Sequence, residues 1–146
     1  WHDGLVGDIT IPVFQTKRLV VNAVVWVAVG GALGSVTRYG FNAGVTRILG
    51  DAFPWGVLLV NVLGSFVIGL VATFLMQRMP QNDMARLLIA TGFLGGFTTF
   101  SAFALDVMKL AQNGQTTSAI AYVVASVGLS IIAVFTGFAV MRAVLT

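Results

Sequence analysis

Four long apolar runs, at residues 19–36, 55–76, 86–110 and 117–141, leave this chain few ways to fold. Each is close to or above the roughly 20 apolar residues needed to cross the hydrocarbon core of a bilayer. Soluble domains carry about 25% charged residues, whereas here 9% are charged and 58% are hydrophobic. Main-chain groups inside lipid find no water, so each run must be a helix that satisfies its own N–H and C=O groups. The expected fold is therefore an all-α integral membrane protein, a single domain of four transmembrane helices over residues 19–146. Residues 1–18 are polar, contain Gly4, Gly7 and Pro12, and lack the basic start and apolar centre of a signal peptide. They read as a tail outside that domain.

The expected connectors are 37–54, 77–85 and 111–116, the first carrying an apparent helical continuation with Arg38 and Arg47. Turn residues Pro80, Asn82, Asp83 and the Asn113–Gly114 pair mark the other two. Four spans put both termini and the second connector on one side, with Lys17, Arg18, Arg78, Arg86 and Arg142; the opposite side has Arg38, Arg47 and Lys109. A strong Lys/Arg excess fixes orientation. Five against three permits insertion both ways. No basic run or RNA-type aromatic motif is present, so nucleic acid is not an expected partner. The chain has no cysteine and no glutamate, and its one histidine is His2. Those absences exclude disulfides, thiolate metal sites and cysteine nucleophiles.

The third run is interrupted. Thr91 to Phe103 reads TGFLGGFTTFSAF, placing paired glycines and paired threonines in the middle of a membrane span. If the helix breaks at Gly95, Gly96, Thr98 and Thr99, main-chain carbonyls lose their helical donors, and such carbonyls coordinate alkali cations. The alternative is an unbroken helix whose glycines pack against a neighbour. Phe100 and Phe103 follow on one helical face, and the positive edges of aromatic rings can solvate an anion in an apolar passage. Asn61 lies deep in the second span, where its amide must find a partner, either an anion or a neighbouring helix. Tyr122, Ser126 and Ser130 recur every four residues on the fourth span. They form either a polar track or three hydroxyls bonded back to their own helix. Arg38 can attract anions or reach toward headgroups. Asp106 is the sole acid within a span, near its end. Small residues at Gly30 and Gly34, Gly64 and Ser65, and Gly92 and Gly96 predict close helix crossings.

These residues together resemble the Fluc/CrcB family of bacterial fluoride channels. The resemblance covers about residues 24–145 and rests on GGALGSVTRYG (30–40), FPWGVLLVNVLGSFVIG (53–69), TGFLGGFTTFSAFALD (91–106) and the spacing of Tyr122, Ser126 and Ser130. It implies a multi-pass protein of the bacterial inner membrane that passively exports fluoride and is not an enzyme. It further implies an antiparallel, dual-topology homodimer with two pores. In that family a sodium ion at the dimer centre is held by carbonyls that match Gly95 and Thr98. The pore residues match Asn61, Phe100, Phe103, Tyr122, Ser126 and Ser130, and the first-span arginine matches Arg38. Val57, Leu59 and Val134 stand where some relatives carry threonine, and Ala102 replaces a commonly hydroxylated residue.

Two other readings compete. A proton-coupled small multidrug exporter is also a short four-span protein, but it needs an intramembrane carboxylate that exchanges protons, and this chain has no glutamate. A noncatalytic assembly subunit would use the glycines for packing alone. An intramembrane hydrolase fails for want of an in-span histidine or paired aspartates to activate a nucleophile.

Overall fold

The computed structural model describes residues 13–146. The first twelve residues of the expected tail lie outside the described residues. Its remainder, 13–18, opens a helix, so the boundary expected at residue 19 moves earlier. Helix α1 spans Val13–Leu49, α2 Trp55–Arg78 and α6 Thr116–Leu145. The third span is built of four pieces: a single turn α3 (Asp83–Ala85), a wider π-wound helix (Arg86–Leu94), a second turn α4 (Gly95–Phe97) and helix α5 (Phe100–Gln112). Four helical stretches are long and apolar enough to cross a membrane, as expected.

The first connector is shorter than the sequence suggested, because α1 runs on to Leu49. No proline interrupts 37–49, and Gly40 and Gly44 each cost only about 1 kcal/mol relative to alanine. The helix stops where it must. Gly50 adopts φ 80°, donates to the Thr46 carbonyl at 2.9 Å, and Pro54 follows. At about 1.5 Å per residue, α1 is far longer than the ~30 Å hydrocarbon core, so part of it projects beyond. The α5–α6 turn uses the same device in fuller form. Gly114 (φ 75°) donates to the Ala111 carbonyl at 3.1 Å while Gln115 donates to Leu110 at 2.9 Å. This pairing absorbs the last orphan carbonyls of a helix end. Asn82 caps α3, its side chain accepting from the Ala85 N–H at 3.0 Å.

Helices meet where glycines let backbones touch, as the small-residue spacing predicted. On the α2–α6 crossing, a Cβ added at Gly69 would strike the Val134 carbonyl, and one at Gly137 the Phe66 carbonyl. On the α1 side, Gly30 and Gly34 face the Leu88 and Phe93 carbonyls, and Gly96 faces Gly31. Between α2, α5 and α6 lies a small buried core of Leu58, Phe103, Leu110, Ala119 and Tyr122. Elsewhere large apolar side chains such as Val36, Val124 and Phe135 are exposed, the expected surface for lipid or another subunit. Gly137→Ala should lower thermal stability in detergent by about 1–3 kcal/mol, the usual penalty for overpacking. Gly40→Ala, with nothing within 4 Å of its added Cβ, should raise stability by up to about 1 kcal/mol.

Candidate functional site

The break expected in the third span is present. Thr98 (φ −75°, ψ 156°) and Thr99 (φ −153°, ψ 118°) are extended between α4 and α5. The strand-like pair lies across α2 at Gly64, where a Cβ would collide with the Thr98 methyl group. Released main-chain groups find side-chain partners. The Thr99 N–H donates to Asn61 Oδ1 at 2.8 Å, and Asn61 Nδ2 donates to the Thr99 carbonyl at 3.0 Å. Asn61 thus docks onto both polar groups of one residue, as a neighbouring strand would. The Thr98 carbonyl accepts from Arg38 Nη1 at 3.1 Å, and the Gly96 carbonyl from Ser35 Oγ at 3.4 Å. Thr99 Oγ1 caps α5 by accepting from the Ala102 N–H at 3.2 Å.

Of the two fates open to Asn61, the helix-neighbour bond is therefore made. An amide nitrogen has two hydrogens, so one remains. Asn61 also lines a groove of about 370 Å³ between α2, the break and α6, together with Ser65, Phe100, Phe103, Ser126 and Ser130. Arg38 likewise spends a donor on the main chain. Most of the residues singled out in the sequence thus converge on one groove.

The two phenylalanines divide their roles. Their ring centroids are 5.4 Å apart, yet Phe103 is 8% exposed and Phe100 77% exposed. Phe100 stands on the surface of the subunit. Phe103 continues inward to Tyr122 (5.3 Å, tilted), whose far side meets Phe53 edge-on at 5.5 Å. Phe53 lines a second, more polar cavity of about 460 Å³ with Asn42, Thr46, Asp51, Asp106 and Lys109. Tyr122, which is fully buried, therefore separates the two cavities. Asp106 faces Lys109 at 3.9 Å on the second cavity, away from the break.

The hydroxyls of Tyr122, Ser126 and Ser130 are buried and none makes a hydrogen bond within 3.5 Å among the described residues, although the Tyr122 hydroxyl lies close to both Ser126 and Asp106. Other hydroxyls in these helices behave differently. Thr37, Thr73 and Thr136 each donate to the carbonyl four residues earlier at 2.8 Å. The back-bonding alternative is thus realised elsewhere and not on the track. Leaving a buried donor unpaired costs about 1–3 kcal/mol, so these hydroxyls call for one another, water or an ion as partners.

A family profile described as "CrcB-like protein, Camphor Resistance (CrcB)" matches residues 25–138. This chain belongs to the CrcB family. A protein of Rhizobium meliloti (strain 1021) named "Fluoride-specific ion channel FluC" is 54% identical over 123 residues, covering 84% of this chain and 98% of its own length. One of the same name from Rhizobium leguminosarum bv. trifolii (strain WSM2304) is 55% identical over 117 residues, covering 80% and 94%. A third, from Chelativorans sp. (strain BNC1), is 49% identical over 119 residues, covering 82% and 95%. The resemblance drawn from the motifs is thus the family membership found.

For a cation within this CrcB chain, no group of three or more His, Cys, Asp or Glu side chains exists among the described residues. Main-chain oxygens remain. The donor that would close a helix onto Gly95, the Thr99 N–H, goes to Asn61 instead. Thr98 keeps a second lone pair beside Arg38. Carbonyl oxygen is the ligand type that hard cations take, with Arg38 placing a positive charge beside the Thr98 oxygen.

Two lining residues carry other roles in the sequence pattern. Ser65 counted as a packing residue, and Phe53 only as part of a motif. Position i+4 from Asn61 was the available signal for Ser65; for Phe53, outside any helix, there was none. The unpaired hydroxyls generate a stability prediction. Ser126→Ala and Ser130→Ala should leave thermal stability unchanged or raise it slightly, whereas Thr73→Val, which loses a made bond, should lower it by about 1 kcal/mol. Thermal unfolding in one detergent compares all three.

Proposed function

We propose that this protein is a fluoride-selective channel of the bacterial inner membrane that exports the ion passively and relieves fluoride toxicity. The observation that carries this reading is the line of three unpartnered buried hydroxyls leading into a groove edged by Phe100, Phe103 and the spare Asn61 hydrogen. Fluoride is small and tightly hydrated, so a passage for it must replace water with donors. Hydroxyl, amide and ring-edge hydrogens are such donors. Several weak sites in series allow conduction where one deep site would trap the ion. The names of the relatives, fluoride-specific ion channels, point the same way.

The working unit on this reading is an antiparallel homodimer with two pores. In a single subunit the groove is open and Phe100 lies on the surface, so an opposed copy would complete the walls and bring its own Phe100 to them. A weak charge bias makes both insertions accessible. A sodium ion at the two-fold axis would be held by Gly95 and Thr98 carbonyls from both copies, and it supplies a structural crosslink. Proton-coupled export of cationic drugs is the poorer account. It requires a free intramembrane carboxylate, and Asp106 pairs with Lys109 beyond Tyr122.

Protein reconstituted in liposomes should release fluoride down its gradient when an ionophore clamps the potential, and should exclude chloride. Absence of fluoride release would overturn the function. Phe100→Ile and Asn61→Asp should each cut flux by roughly tenfold or more, about 1.4 kcal/mol in barrier terms, with dimer mass unchanged; wild-type flux in both would remove the pore assignment. Prolonged replacement of sodium by N-methylglucamine should abolish flux slowly, and insensitivity would count against a central ion.

A further inference from the structure

In a continuous helix the Gly95 carbonyl would accept from the Thr99 N–H, and the Thr98 carbonyl from the Ala102 N–H, four residues on. Neither bond forms. The first donor goes to Asn61 Oδ1 at 2.8 Å and the second to Thr99 Oγ1 at 3.2 Å. The two carbonyls proposed as cation ligands are the two that lose their donors to these side chains. From this we infer that Asn61 and Thr99 are positioning residues for the cation site: each takes the helical donor of one ligand oxygen, the Thr98 oxygen then accepting from Arg38 Nη1 at 3.1 Å with a second lone pair left.

The assignment extends the role of Asn61. Its acceptor oxygen opens Gly95, one amide hydrogen fixes the Thr99 carbonyl, and the second hydrogen stays available to the groove. One side chain therefore ties the geometry of the ion passage to that of the central site. Thr99 does the corresponding work for Thr98 and in the same act starts α5, the helix that carries Phe100 and Phe103. This inference rests on the proposed central sodium.

The test is thermal unfolding of the purified dimer in sodium chloride and in N-methylglucamine chloride, the increment between the two being the readout. Wild-type protein should melt higher in sodium. Asn61→Leu supplies no acceptor, so the Thr99 N–H can return to Gly95 and the increment should vanish. Asn61→Asp keeps a carboxyl oxygen for that N–H and should retain most of the increment although its flux is lost. Thr99→Val, close in volume, should shrink the increment, and Thr99→Ser should restore it; this pair carries the test if Asn61→Leu does not fold. Loss of stability equal in both salts would mean a packing role and overturn the inference, as would a full increment in Asn61→Leu and Thr99→Val. No increment in the wild type would instead bring down the sodium reading, and this inference with it.

Discussion

A main chain that leaves helical geometry inside a bilayer must find a partner for every group it releases, because lipid offers none. At Thr98 and Thr99 those partners are side chains of other spans. Asn61 reaches from α2 to both groups of Thr99, and Arg38 from α1 to the Thr98 carbonyl. Glycine makes these reaches possible. Gly64 lets the extended pair lie against α2, while Gly30 and Gly34 bring α1 close enough for Arg38 to arrive. The fold is organised around this short non-helical stretch, and the crossings on either side hold it in place.

A broken helix presents two poles at one depth. Carbonyls at the end of the first half carry partial negative charge, and N–H groups at the start of α5 carry partial positive charge. One element can thus serve a cation on one side and an anion on the other. The aromatic and hydroxyl groups extend the second pole. From the start of α5 the rings run through Phe103 to Tyr122 and Phe53, and the hydroxyls follow one face of α6. That these hydroxyls stay unpaired while Thr73 and Thr136 bond to their own helices is a matter of orientation. Tyr122 clusters with Leu58 of α2 and with Phe103 and Leu110 of α5, and Ser126 lines the groove.

Composition made the membrane class legible, and run length gave the four spans to within a few residues at most ends. The break was legible because Gly95–Gly96 and Thr98–Thr99 sit where lipid tolerates only helix. What the sequence did not disclose depends on which faces meet. Periodicity put Phe100 and Phe103 on one face but could not say that one is buried and the other exposed. The π winding of Arg86–Leu94 leaves the apolar pattern unchanged, since leucines and glycines accept either register. Asn61 was legible as a buried amide in need of a partner, but a carbonyl nearly forty positions away is not written in local spacing. The continuation of α1 past Val36 was legible as a helical extension carrying Arg38 and Arg47, but its full reach to Leu49 was not, because glycines and polar residues there read like a connector.

The sign of the field follows from the same contacts. Arg38 brings a permanent positive charge to the break, and at an effective dielectric near 20 a unit charge 4 Å away still contributes about 4 kcal/mol. The one acid within a span, Asp106, is offset by Lys109 and sits on the second cavity, with Tyr122 between it and the groove. No carboxylate lines the groove itself. An ion in the groove would meet hydroxyl, amide and ring-edge donors and no carboxylate until Tyr122, beside which Asp106 stands. On the reading proposed above, these charges and donors suit an anion better than a cation along the groove.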